Sequence, residues 1–129
     1  MSKKSLVVDT DVLIDYLRGE PKAIALISSH VDNIILPAIV TAELYAGVRD
    51  KEDRHKLDQF LSLFQIVPMT AEVARVGGLL KRVYEKSHNV GLADATITAT
   101  AQIENADLKT LNTKHYPMFK GLKAPYKKP

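Results

Sequence analysis

Acidic and amide side chains follow several of the predicted strands of this chain at the points where the strands end. Asp9 and Asp11 come directly after a short apolar strand, Asn112 follows another, and Asp94 opens a helix that is expected to start at the same edge. Glu43 lies on a helix beyond a third strand. In open α/β sheets, ligands bind beyond the carboxyl ends of the strands. Carboxylates gathered there repel one another and are tolerated chiefly beside a divalent cation, and such oxygen ligands suit magnesium or manganese.

Each of these acids also has an ordinary structural explanation when it is taken alone. Asp9 or Asp11 can cap the helix that follows, and Asp94 is favoured in a first turn by the helix dipole. Glu43 can be a solvated helical residue. The residues alone therefore leave open whether the acids converge on one site.

The elements that position these residues alternate along the chain. Short apolar runs predict strands, and apolar positions at helical spacing predict helices. The predicted strands are 5–8, 33–37, 65–68 and 108–111, with a last short one near Leu122. The predicted helices are 11–18, 21–28, 38–48, 51–64, 71–87 and 92–106, with a helical turn at 114–119. This alternation predicts an α/β fold with a mostly parallel central sheet of four to five strands flanked by helices on both faces.

Two further local features sharpen this prediction. Gly77 and Gly78 lie inside the fifth predicted helix, where each glycine costs about 1 kcal/mol relative to alanine. We expect close packing against another helix to compensate. The helix 92–106 is rich in Ala and Thr, and such small side chains suit a central helix pressed against the sheet.

Length and composition limit the class of protein. A chain of 129 residues and 14.3 kDa fits a single domain over 1–129. It has no cysteine, which excludes disulfides, thiolate nucleophiles and sulfur-ligated metal sites. The apolar run that starts at Leu6 is stopped by Asp9, and no segment approaches the roughly 18 apolar residues of a membrane helix. We expect a cytoplasmic protein with no membrane segment.

The net charge of +3 conceals a division along the chain. The end of the chain, 108–129, carries six lysines and no Asp or Glu, whereas the rest holds 12 basic and 15 acidic residues. A lysine-rich end on an acidic body attracts a polyanion while leaving the acids free for another role. A solvated tail that aids solubility explains the same composition.

Four segments, taken in order, resemble the motifs of PIN-domain proteins. They read VVDTDVLIDYLRG (7–19), TAELYAG (41–47), GLADATITATA (91–101) and TLNTKHY (110–116). Within that family the chain looks most like the VapC toxins of toxin–antitoxin pairs, and the resemblance extends over about residues 6–123. It implies a magnesium- or manganese-dependent endoribonuclease that hydrolyses RNA phosphodiester bonds with metal-activated water.

The resemblance also implies roles for single residues. Asp9, Glu43 and Asp94 fall on the acidic metal ligands, and Asn112 falls on a fourth position that is often Asp, which reduces the charge available for a second metal ion. Thr10 falls on a small hydroxyl residue that would orient Asp9 or a metal-bound water. Asp11 is an Asn in many relatives.

Partners follow from the same resemblance: a cognate antitoxin that occludes the acidic pocket, an RNA substrate and a second copy of the toxin. The apolar helices 51–64 and 71–87 are candidates for these surfaces and equally for the core. The residues expected to hold RNA phosphates are Arg18, Lys114, His115, Lys120 and Lys123, together with Lys127 and Lys128.

Three other readings of the residues remain open at this point. A PIN fold that binds RNA or a partner without cutting is compatible with Asn112. A haloacid-dehalogenase-type phosphatase would use Asp9 as its nucleophile, but it needs a later lysine at a strand end and a terminal acidic pair that this chain lacks. A receiver domain needs an Asp at the end of the third strand, where Pro68 and Met69 stand.

Overall fold

The computed structural model describes residues 3–127 as an α/β fold. The strands are β1 (Leu6–Val8), β2 (Ile34–Pro37), β3 (Gln65–Val67) and β4 (Asp107–Lys109), and the helices are α1 (Thr10–Leu17), α2 (Pro21–His30), α3 (Ala38–Ala46), α4 (Lys51–Leu61), α5 (Ala71–His88) and α6 (Leu92–Ile103). A short 3-10 helix follows at Thr113–His115. The helices flank the sheet, as the alternating pattern predicts.

The sheet is entirely parallel, in the order β3-β2-β1-β4. All three residues of β1 are buried, because a central strand of a parallel sheet is covered on both faces. Its last pairing is Val8 with Lys109, and the Asp9 N–H then donates to the Lys109 carbonyl at 2.9 Å. The carboxyl ends of β1, β2 and β4 therefore meet at one edge, and the chain leaves that edge at Asp9, Pro37 and Thr110.

Helix α6 is the most deeply placed helix that the structure describes. Its residues 95–101 are all buried, which confirms that the Ala- and Thr-rich segment is a central helix. Helix α5 packs along it, and a Cβ built on Gly77 would lie 2.6 Å from Cγ2 of Thr96. The close approach expected at the glycine pair is thus real at Gly77, whereas a Cβ on Gly78 would meet nothing within 4 Å.

Several predicted boundaries need correction. Helix α4 ends at Leu61 and α6 at Ile103, three residues short of the predictions, and β4 covers 107–109 in place of 108–111. The strand predicted near Leu122 is wrong: among the residues that the structure describes, 119–122 form turns, and the Leu122 N–H points to the Phe119 carbonyl. The apolar side chains there pack against the core without extending the sheet.

The helical turn predicted over 114–119 is shorter in the structure, where it occupies 113–115. Gly19 closes α1 as expected, with a φ of +85° that suits glycine. Within residues 3–127, no helix is both long and apolar enough to cross a lipid bilayer.

Candidate active site

Asp9 lies where β1 ends and α1 begins, and it is the residue that caps α1. Its Oδ1 accepts a hydrogen bond from the Thr10 backbone N–H at 2.8 Å. Its Oδ2 accepts two more, from the Thr110 hydroxyl at 2.8 Å and from the Tyr116 hydroxyl at 3.0 Å. The residue is only 6% exposed, so these three donors take the place of water around a buried carboxylate.

Asp94 stands in the first turn of α6, and the Tyr116 hydroxyl that contacts Asp9 also contacts Asp94. Its Oδ1 accepts from the Tyr116 hydroxyl at 3.1 Å, and its Oδ2 lies 3.2 Å from Nδ1 of His115. Burial raises the pKa of Asp94, the charge of Asp9 raises it further, and the contacts with Tyr116 and His115 partly oppose both effects. The carboxylates of Asp9 and Asp94 are therefore close enough to repel, with a single hydroxyl touching both.

Glu43 reaches the same edge from α3, which starts directly after β2. Its Oε1 accepts a hydrogen bond from the Thr10 hydroxyl at 2.8 Å. Burial raises the pKa of Glu43, the Thr10 contact lowers it, and the charges of Asp9 and Asp94 raise it again. The Thr10 hydroxyl thus contacts Glu43, and its backbone N–H contacts Asp9.

The donor set of this edge fits a divalent cation by its chemistry. The carboxylates of Asp9, Glu43 and Asp94 are hard oxygen ligands, and ionisation of the last two is opposed in the protein alone. In residues 3–127 no three acidic or histidine side chains already meet in a geometry ready for a metal ion. The Tyr116 hydroxyl contacts both Asp9 and Asp94 in this arrangement.

Asp11 holds the segment that follows β4 in place through hydrogen bonds to its side chain. Its Oδ2 accepts from the Leu111 backbone N–H at 2.9 Å and lies 3.3 Å from the Thr110 hydroxyl, while its Oδ1 accepts from the Val12 N–H at 2.7 Å. Burial, followed by the charge of Asp9, raises the pKa of Asp11 to about 6. These contacts assign Asp11 a structural task beside the site.

Asn112 stands at the start of the short 3-10 helix with an exposed side chain. The contacts that hold it are made by its backbone: its N–H donates to the Thr110 hydroxyl at 3.1 Å, and its carbonyl accepts from the His115 N–H at 3.0 Å. Its place beside Thr110, which itself contacts Asp9, brings Asn112 to the predicted edge.

The predicted RNA-binding residues lie at the end of α1 and in the segment that follows β4. Arg18, Lys114, Lys120 and Lys123 are exposed, as phosphate contacts require. His115 is also exposed, but its ring contacts Asp94.

Two other basic regions frame these residues. The Lys127 carbonyl accepts from the Lys22 ammonium group at 3.0 Å, which ties the basic end back to α2, and Lys128 lies outside the described residues. A groove of about 450 Å³ is lined by apolar residues of α1, α3 and α4 together with the charged residues Arg18, Glu43, Arg49, Asp53 and Lys56. Arg49 and Asp53 form an ion pair there at 2.9 Å.

Sequence reasoning missed two residues that build the site. Thr110 is fully buried and contacts Asp9, Asp11 and the Asn112 N–H, and Tyr116 is 1% exposed with its hydroxyl on two carboxylates. Both belong to the segment 110–116 that carries the fourth motif. The available signal was a hydroxyl residue at the end of a buried strand and a tyrosine among apolar neighbours, since each must find a partner for its O–H when buried.

Comparison with known proteins agrees with this geometry. The family described as PIN domain matches residues 6–118. The chain is 40% identical to "Ribonuclease VapC19" of Mycobacterium tuberculosis over 124 residues, which covers 93% of this chain and 98% of that protein. It is 42% identical to "Ribonuclease VapC10" of the same organism over 127 residues, which covers 96% of this chain and 95% of that one.

Solved structures with the same fold are toxin–antitoxin complexes. A toxin–antitoxin complex from Klebsiella pneumoniae superposes with a TM-score of 0.82 at 27% identity, covering 95% of this chain and 98% of that chain. VapBC2 from Rickettsia felis, bound to a DNA fragment from its promoter, superposes with a TM-score of 0.76 at 27% identity, covering 91% of this chain and 94% of that chain.

Proposed function

We propose that this chain, which belongs to the PIN-domain family, is an endoribonuclease and the toxin of a type II toxin–antitoxin pair, acting in the cytoplasm. Its relatives named as VapC ribonucleases match it over nearly their whole length. The observation that carries the proposal is the meeting of Asp9 and Asp94 on one hydroxyl, with Glu43 close enough for both charges to raise its pKa. Asp9, which follows β1, is thus gathered with acids from α3 and α6 at one edge, where their like charges repel.

Asp9, Glu43 and Asp94 are the residues that would hold a divalent cation, either Mg²⁺ or Mn²⁺. When bound, such a cation supplies a polarised water as the nucleophile and stabilises negative charge on the phosphate. The chain itself orients the ligands: Thr10 directs Glu43, and Tyr116 and Thr110 direct Asp9. No protein nucleophile is required.

Asn112, Asp11 and Thr10 complete the proposed site in supporting positions. Asn112 offers a neutral amide at the fourth position, so the edge carries three formal negative charges from the proposed ligands. Asp11 holds the 110–112 segment against β1 through the Leu111 N–H. Thr10 contacts both Asp9 and Glu43, one through its backbone and the other through its hydroxyl.

RNA would be held by the exposed basic residues around the edge. Lysines attract phosphates without reading bases, so they contribute affinity with little sequence preference. These residues are Arg18, Lys114, His115, Lys120 and Lys123. His115 has a second task in this proposal, since its ring already contacts Asp94.

The partner of the toxin is a cognate antitoxin protein, as in the complexes that share its fold.

We also propose a homodimer. The support is an exposed apolar patch on α5 and the start of α6, where Leu79, Val83 and Leu92 are 48%, 65% and 57% exposed. Isolated apolar residues are common on surfaces, whereas apolar residues exposed as a group favour a contact with another chain. Helix α4 buries its predicted apolar positions Leu57 and Phe60 in the core.

The test is cleavage of total cellular RNA by the purified protein with Mg²⁺, with Mn²⁺ and with chelator. Asp9→Asn removes one proposed ligand but keeps an oxygen that can cap α1. Asp107→Asn is the matched control, because Asp107 begins β4 at the amino ends of the strands, away from the acidic site, and pairs there with Lys4 at 3.1 Å. We expect fragments from the wild type and Asp107→Asn only when metal is present, and none from Asp9→Asn.

Two results contradict the proposal. Cleavage by folded Asp9→Asn at the wild-type rate would remove Asp9 from the ligand set. Absence of cleavage by folded wild type in every condition, with RNA still bound, would favour the alternative of a PIN fold that binds RNA without cutting. The PIN-domain match over residues 6–118 excludes the haloacid-dehalogenase and receiver folds.

A further inference from the structure

Tyr116 is a buried phenol whose hydroxyl lies between two carboxylates. The residue is 1% exposed, and the hydroxyl is 3.0 Å from Oδ2 of Asp9 and 3.1 Å from Oδ1 of Asp94. Its ring is fixed by the backbone and by packing: the Tyr116 N–H donates to the Thr113 carbonyl, and the ring meets Phe119 edge-on at 6.3 Å. The position of the hydroxyl is thus set by the core.

One acceptor satisfies a buried tyrosine, and this one has two. The two acceptors come from elements far apart in sequence, the end of β1 and the first turn of α6, and they carry the same charge. Hydrogen bonds to ionised acceptors are stronger than neutral ones, so the one O–H proton, shared between the two carboxylates, holds together two groups that would otherwise move apart. His115, the preceding residue, holds the other oxygen of Asp94 at 3.2 Å.

We propose that Tyr116 is a positioning residue for the metal ligands: its hydroxyl sets the separation and orientation of Asp9 and Asp94. The proposal rests on the proposed function, in which these two carboxylates bind the cation. Groups that hydrogen-bond to metal ligands typically contribute 10- to 100-fold to metal affinity, because they fix the ligands before the metal arrives. Without the hydroxyl, both carboxylates keep other partners but lose the contact that relates one to the other.

The variant Tyr116→Phe removes this hydroxyl and keeps the ring. Tyr126→Phe is the matched control, because the Tyr126 hydroxyl also donates to a carboxylate, Oδ2 of Asp15 at 2.8 Å, on a residue outside the proposed ligand set. Mn²⁺ is titrated into each purified protein by calorimetry. We expect the Mn²⁺ dissociation constant to rise about 10- to 100-fold in Tyr116→Phe and to stay at the wild-type value in Tyr126→Phe.

RNA cleavage gives a second measurement that a purely structural role would not change. The Mn²⁺ concentration for half-maximal cleavage is expected to rise by the same factor in Tyr116→Phe, while the rate at saturating Mn²⁺ approaches that of the wild type. A lower rate at saturation with an unchanged half-maximal concentration would overturn the proposal, because the hydroxyl would then act in the reaction itself.

The remaining outcomes separate this inference from the proposed function. If the wild type neither binds Mn²⁺ nor cuts RNA, the proposed function fails and takes this inference with it. If the wild type does both and Tyr116→Phe binds Mn²⁺ as tightly or more tightly, the positioning role alone is wrong. Failure of Tyr116→Phe to fold, with Tyr126→Phe folded, also overturns it, because the hydroxyl would then support the fold itself.

Discussion

Replacing Asp94 by Asn should stabilise the metal-free protein while removing its activity. Asp94 and Asp9 each place an oxygen about 3 Å from the same Tyr116 hydroxyl. Their charges are then roughly 6 Å apart at most, and at an effective dielectric constant of about 20 the repulsion is about 3 kcal/mol. An Asn at this position still accepts from Tyr116, but it loses the charge assistance of that contact and of the contact with His115, which together cost about 1 kcal/mol.

The expected gain in the free energy of unfolding is therefore about 2 kcal/mol near neutral pH. Its pH dependence follows from the raised pKa of Asp94. A carboxyl group whose folded-state pKa is raised contributes stability that is fully present below its ordinary value near 3.8 and is lost as the pH rises through the folded value. The free energy of unfolding of Asp94→Asn should thus exceed that of the wild type at about pH 7.5 and equal it at about pH 4.

The assay is urea unfolding of both proteins at the two pH values in the presence of chelator, repeated with Mn²⁺ at neutral pH. Mn²⁺ at 100 times its dissociation constant stabilises the wild type by about 2.7 kcal/mol, whereas a variant that has lost the site gains nothing. The order of stabilities should therefore reverse when metal is added. An Asp94→Asn protein that is less stable than the wild type in chelator, with an unchanged urea slope, would refute the claim that the two carboxylates repel.

Three further predictions concern the surroundings of the site. The free energy of unfolding of Asp11→Asn should rise by about 2 kcal/mol relative to that of the wild type between about pH 4 and pH 7, because burial and Asp9 raise the pKa of Asp11 to about 6. Urea unfolding measures this difference, and an equal dependence of stability on pH in both proteins would contradict it. Gly77→Ala should unfold about 1 to 3 kcal/mol more easily because its new Cβ would meet Thr96 at 2.6 Å, whereas Gly78→Ala, which meets nothing, should gain up to about 1 kcal/mol. In an Asp9→Asn background, replacing three exposed lysines by Ala should reduce the slope of log affinity for single-stranded RNA against log salt by about 2, and an unchanged slope would exclude them from phosphate contact. The three are Lys114, Lys120 and Lys123.

The sheet and the acids could be predicted because each leaves a strong local signal. A short apolar run such as 6–8, ended by an Asp, specifies both a buried strand and the residue at its carboxyl end. The strand predicted near Leu122 failed for the opposite reason. Its apolar residues are partly buried against the core. An apolar pattern cannot distinguish a strand from a loop that covers the core when no neighbouring strand is available.

Long-range contacts explain what was missed. The Thr10 hydroxyl contacts Glu43, 33 positions away, and Thr110 contacts Asp9, 101 positions away. Spacing along the chain contains no information about either contact. Sequence reasoning could place Thr10 beside Asp9, which is its neighbour in the chain, but the direction of its hydroxyl depends on where α3 brings Glu43.

The three hydroxyl donors of the site share a chemical property that counting charges overlooks. Thr10, Thr110 and Tyr116 each donate to a proposed ligand, and none of them carries a charge. A lysine or arginine in the same place would satisfy the carboxylates better in the metal-free protein, but it would neutralise them and compete with the cation. A neutral donor orients the ligand and leaves its charge in place. A site that must stay anionic until metal binds is therefore best supported by hydroxyl groups. The pattern of acidic residues in the sequence does not reveal these hydroxyl residues.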